Sequence, residues 1–145
     1  MNAESLFSVL NLLAVAGWLL LLLMPRNRTA VAIAGTAIPL VLAAVYFVVV
    51  AVNWSSARGS FSTLHGVAEL FSNPWLLLAG WVHYLAFDLF VGTWETRDAM
   101  TQHMPRWLLS VTLLLTFLFG PVGFLLYSIS RSVAGREGHP RGALT

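Results

Sequence analysis

Apolar residues fall into four long runs separated by short polar breaks. The first extends from Leu6 to Met24, with Asn11 and Trp18 inside it and MPRNR behind it, and the second from Ala30 to Val52, with Pro39 near the middle. The third extends from Pro74 to Gly92 and the fourth from Trp107 to about Ser128. At about 1.5 Å per helical residue each run reaches about 28 Å or more, enough to cross a hydrocarbon core. Pro39 predicts a kink, because its ring removes one backbone bond and crowds the preceding turn, and Gly120, Pro121 and Gly123 predict another in the fourth run. Asn73 and Pro74 form a helix start, the first as a cap and the second at a position where a missing N–H is no loss. Between the second and third runs, Phe61, Leu64, Ala68 and Phe71 recur at three- and four-residue steps, predicting a short amphipathic helix at the interface. The pattern therefore predicts an all-α polytopic membrane protein. A single four-helix transmembrane domain covers residues 1–130, an interfacial helix joins its second and third spans, and residues 131–145 form a mobile tail containing Arg, Gly and Pro.

Composition strengthens the membrane assignment. Of 145 residues, 58% are hydrophobic and 10% charged, against about 25% charged in soluble domains. With no cysteine, disulfides, iron–sulfur clusters and thiolate metal sites are excluded, and any metal needs His and carboxylate ligands. The pI is 9.7, but the net charge is only +2 and no basic cluster is interleaved with aromatics, so nucleic acid is excluded as a partner. The partners expected are membrane lipids and, in a chain with few internal contacts, a second copy in a homodimer.

All eight basic residues are Arg. Four crossings put Arg58, Arg131, Arg136 and Arg141 on one side and Arg26, Arg28, Arg97 and Arg106 on the other, a tie that gives no orientation. If the first helix dominates, Glu4 before it and Arg26 and Arg28 after it place the N-terminus outside. That same Glu4, with no small-residue cleavage site behind the run, reads as a retained helix rather than a signal peptide. The Arg-only, Ala-rich composition suggests a prokaryotic source. The expected location is a bacterial inner membrane, or a thylakoid- or plastid-type membrane in a phototroph.

Candidate chemistry is concentrated in one stretch. Four of six acidic residues (Glu69, Asp88, Glu95, Asp98) and three of four histidines (His65, His83, His103) lie between positions 65 and 103. His83, Tyr84 and Asp88 fall inside the third run, where an ionisable group costs about 2.5–3.5 kcal/mol and by default marks a functional site. On an ideal helix His83 and Asp88 lie about 140° apart, whereas Tyr84 and Asp88 share a face and His83 aligns with Ala79, Phe87 and Phe90. Those two polar edges address either two different neighbours or opposite walls of one pocket.

His83 reads as an interhelical hydrogen-bonding group, a substrate contact or a metal ligand. Asp88 needs a cation, a proton or a metal at that depth. His65 and Glu69, four apart, complete with His83 and Asp88 a two-His, two-carboxylate set suited to non-haem iron or zinc, the bland alternative being a solvated helix edge. Glu95 and Asp98 follow the third run, where negative charge opposes the helix dipole, so Arg97 or Arg106 is the expected partner in a salt-bridged loop, with a pocket rim as the other role. Trp75, Trp81, Trp94 and Trp107 read as an aromatic belt, with stacking on an apolar ligand as the second use.

The string FSTLHGVAELFSNPWLLLAGWVHYLAFDLFVG, followed by Trp94 and Glu95, closely resembles the abscisic-acid-deficient-4 family of neoxanthin-synthase-like membrane proteins. The resemblance implies a four-helix membrane protein of carotenoid metabolism, whose plant members are required to turn the epoxide violaxanthin into the allene neoxanthin. By motif match it implies functional positions at Glu69, Asn73, Trp81, His83, Tyr84, Asp88 and Glu95. Such an isomerisation needs an acid at the epoxide oxygen and a base for a carbon-bound proton, and no redox cofactor. A carboxyl among apolar groups keeps its proton more readily, which suits Asp88 or Glu69 as acid, with His83 or the other carboxylate as base. Tyr84, Trp81, Phe87, Trp94, Asn73 and Glu95 are then the expected substrate contacts, joined by Phe90 along the polyene. A non-catalytic pigment-binding subunit, and a metal-dependent polyene oxidase or cleavage enzyme using His65, Glu69, His83 and Asp88, are the competing expectations.

Overall fold

The computed structural model describes residues 2–137. Helix α1 is Ala3–Leu23, and the second span combines α2 (Arg28–Ala32), a π-helical turn (Ile33–Ala37) and α3 (Ile38–Asn53). A short α4 (Leu64–Leu70) precedes α5 (Pro74–Thr101), and α6 (Arg106–Phe119) and α7 (Pro121–Glu137) follow. Asn2, Asn27, Thr63 and Asn73 each accept a backbone N–H of the first turn and so begin α1, α2, α4 and α5, as short polar caps do.

Pro39 bends the second span indirectly. Its missing N–H and its ring affect the carbonyl four residues back, and the chain answers with the π-helical turn just before it. Gly35 lies in that turn, where α5 passes so close that a Cβ would collide with Thr93. At Gly17 an added Cβ would stand 2.6 Å from Leu89, and at Gly92 the same distance from Trp18. Bare backbone at these points lets α1 and α3 clasp α5, the central helix. Phe7 beside Trp81 and Trp18 beside Gly92 set α1 parallel to α5, while Tyr46 beside His83 and Gly35 beside Thr93 set α3 antiparallel.

Among the described residues three helical stretches are long and apolar enough to cross a membrane: α1, the composite second span and α5. The expected fourth crossing is not among them. At 14 residues, α6 is about 21 Å long, short of a core of about 30 Å. At Gly120 the backbone takes φ 49° and ψ −102°, and the chain doubles back so tightly that a Cβ on Gly123 would collide with Thr116. Helix α6 descends along α5, placing Thr116 on Glu95 and Gly120 on Asp88. Helix α7 returns, with Phe124 and Tyr127 against Trp94 and Arg131 on Asp98. The pair is a helical hairpin packed along the C-terminal half of α5, its tip at Asp88 and both outer ends near the end of α5. Helix α7 also continues to Glu137, so residues 131–137 of the expected tail are helical, and residues 138–145 lie outside the described part.

The hairpin breaks the arginine tie. Arg131 joins Asp98, near the end of α5, on the side that also holds Arg26, Arg28, Arg97 and Arg106, leaving Arg58 on the other. From that distribution the positive-inside rule predicts a cytoplasmic Arg-rich end and an N-terminus outside. Because the chain has no native cysteine, Ser5→Cys and Ser132→Cys report this directly. An impermeant maleimide on intact cells is expected to label Ser5→Cys alone, with Ser132→Cys labelled only after the cells are opened. Labelling of both on one side would restore the four-crossing count.

Candidate functional site

Helix α5 continues through ETRDAMT to Thr101 rather than ending at Gly92, because that stretch contains no Gly or Pro to stop it. This gathers Tyr84, Asp88, Glu95 and Asp98, spaced by four, seven and three residues, onto one face. The face looks toward the hairpin. Asp98 accepts a 2.7 Å hydrogen bond from the Tyr127 hydroxyl and pairs with Arg131 at 2.8 Å. The expected partners are corrected, since Arg106 instead donates to the Leu23 carbonyl of α1 and Arg97 faces the second span.

Glu95 is fully buried, neither loop nor rim. Both its oxygens lie on the hydroxyl of the equally buried Thr116, at 2.9 and 3.2 Å. Thr116→Val keeps the shape and removes that donor. Stranding a buried carboxyl group costs about 1–3 kcal/mol, so a thermal scan in detergent is expected to show a clear loss of stability, and an unchanged midpoint would contradict this packing.

Asp88 lies midway along α5, where the hairpin tip meets it. Its carboxyl oxygens stand 3.0 and 3.1 Å from where a Cβ on Gly120 would be. Oδ2 is buried and has no hydrogen-bond partner among the described residues, while the Tyr84 hydroxyl approaches the carboxyl from the preceding turn. Tyr84 in turn packs on Trp81, ring centres 5.3 Å apart. The Trp81 indole donates to Asn11 of α1 at 3.1 Å and packs on Phe7. Because the hairpin reaches only to Asp88, the seam between α1 and α5 beyond its tip lacks an α6 cover. A cavity of about 290 Å³ occupies that seam, lined by Ala3, Glu4, Phe7, Pro74, Leu77, Leu78 and Trp81. Trp81, Tyr84 and Asp88 thus form a polar ladder leading from this cavity to the middle of α5.

His83 turns the other way. It stacks on Phe87, with ring centres 4.5 Å apart, packs beside Tyr46, and lines a cavity of about 280 Å³ with Trp54, Phe61 and Phe71. Phe87 and Phe90 line a neighbouring cavity of about 470 Å³ against the π-helical turn of the second span. The α5 helix stands between His83 and Asp88, so they cannot attend one reacting atom, and the expected grouping of His83, Asp88 and Glu69 is corrected. Glu69 and His65 are exposed on α4. No group of three His, Asp or Glu residues suited to a metal occurs among the described residues, so the set of His65, Glu69, His83 and Asp88 is not assembled for iron or zinc. Asn73 acts as the α5 cap and lies 3.5 Å from the Ser56 hydroxyl. Trp94 packs against Phe124, Tyr127 and the Arg131 guanidinium of the hairpin on one side and stays exposed on the other.

Asn11, Thr116 and Tyr127 entered no expected site. Asn11 alone carried a signal, as an amide inside an otherwise apolar run.

Fold and site together define a polytopic helical membrane protein with a row of acidic and aromatic side chains under a helical hairpin. The chain belongs to the ABA DEFICIENT 4-like family, whose model matches residues 5–127 and so takes in both the central helix and the hairpin as far as Tyr127. Membership ties it to membrane proteins of the carotenoid and abscisic acid pathway. No curated protein and no solved structure matches the chain.

Proposed function

We propose that the chain is a membrane isomerase acting on the oxygenated end ring of a carotenoid or similar long polyene. The ring enters sideways from the bilayer along the seam of α1 and α5 and meets Tyr84 and Asp88 beneath the hairpin tip. The observation that carries this reading is the buried, unpartnered Oδ2 of Asp88, beside a phenol and at a depth where a polar group without a partner is expensive. Tyr84 and Asp88 offer a hydroxyl donor and a carboxyl on adjacent turns. One protonates the ring oxygen as its carbon–oxygen bond breaks, and the other takes a carbon-bound proton, leaving an isomer with no net oxidation. Trp81 supplies an aromatic wall, fixed by Asn11.

A second reading places the ring in the cavity of His83 and Tyr46, the imidazole being the polar group there. Expression in cells that accumulate different oxygenated carotenoids, followed by chromatography of the pigments, tests both. A new isomer of unchanged mass in one background supports catalysis. Unchanged pigments in every background, with the protein present in the membrane, would refute it.

A further inference from the structure

Three arginines converge where the second span meets α5. Arg26, from the turn after α1, Arg28, the first residue of α2, and Arg97, from the end of α5, line one cavity of about 570 Å³ with Pro25, Val31 and Met100. Like charges gathered in this way repel, and the only salt bridge among the described residues, Arg131 with Asp98, involves none of them. A cavity lined by three arginines suits a phosphate, whose oxygens accept paired N–H donors from Arg. Arg97 also lines the adjoining apolar cavity beside Gly35, Pro39, Ala43, Phe87 and Phe90. A charged chamber and an oily one therefore share a residue, and the charged one lies where the crossing helices end.

We infer that this double cavity binds an anionic phospholipid, its headgroup phosphate held by Arg26, Arg28 and Arg97 and an acyl chain laid against the π-helical turn and α5. Free phosphate would satisfy only the charged half. The site lies on the face of α5 away from Asp88 and is independent of the isomerase reading.

Native mass spectrometry of the full chain, purified in mild detergent and offered phosphatidylglycerol or phosphatidylcholine, tests the inference. Wild type is expected to retain phosphatidylglycerol about ten-fold better, with Arg28→Gln and the pair Arg26→Gln/Arg97→Gln cutting the preference several-fold. Arg28 opens α2, where removing a positive charge does not weaken the helix, so that variant is expected to fold even where the pair does not. Arg58→Gln, with the same charge change on the opposite side, is expected to keep the preference. Ala43→Trp, which fills the apolar half, is expected to weaken retention without altering the arginines. Equal retention of the two lipids, an equal loss with Arg58→Gln, or displacement of phosphatidylglycerol by millimolar inorganic phosphate would each overturn the inference.

Discussion

Asp88→Asn is expected to abolish pigment conversion while the protein still inserts and purifies. The amide nearly matches the carboxyl in size and fits against Gly120, but it neither gives up nor takes a proton at neutral pH. General acid or base groups contribute about 10²–10⁴ in rate, so conversion measured by chromatography, normalised to protein in the membrane, should fall at least about 100-fold. His83→Gln serves as the counterpart, because the two side chains face opposite sides of α5. It is expected to retain most of the conversion. The opposite pattern, with His83→Gln inactive and Asp88→Asn active, would move the reacting group to the cavity of Tyr46 and His83.

Gly120→Val is expected to damage the fold severely. With φ at 49° and ψ at −102°, residue 120 occupies backbone space that only glycine enters without strain. Forcing another residue there costs about 1–3 kcal/mol. The new Cβ would in addition press on the Asp88 carboxyl oxygens at 3.0 and 3.1 Å, and the two further methyls of valine need space there as well. Loss of purified protein, or a large drop in the thermal midpoint, is the expected outcome. A Gly120→Val protein as stable as wild type would show that the tight reversal is not part of the fold.

The sequence displayed the crossing helices plainly, because a run of apolar side chains long enough to span a bilayer has few other uses. It also displayed the start of α5, through Asn73 and Pro74. The hairpin was only half legible. Gly120, Pro121 and Gly123 announced a bend, but whether a Gly–Pro step kinks a helix or reverses it depends on what the returning segment packs against. Here that is Trp94 and Asp98, contacts far away in sequence. Ending the third helix at Gly92 followed the loss of hydrophobicity, yet Glu95 stays helical and buried because Thr116 meets it. The separation of His83 from Asp88 was legible from helical geometry alone. Which of the two faced a neighbour was not, since that depended on the route of α6. The four-residue metal set failed for a related reason: spacing along one helix says nothing about whether α4 turns its polar edge toward α5, and His65 and Glu69 remain exposed.

The most direct test of the central claim, that Oδ2 of the Asp88 carboxyl beneath the hairpin is left without a protein partner for a ligand to meet, is chemical labelling in the membrane. A hydrophobic carbodiimide modifies carboxylic acids that it can reach from the lipid phase, and peptide mass spectrometry locates the adduct. Membranes from cells lacking carotenoids are expected to carry the adduct on Asp88 and not on Glu95, and membranes from carotenoid-producing cells to show Asp88 protected. An Asp88 that never reacts, or that reacts equally with and without the pigment, would contradict the account.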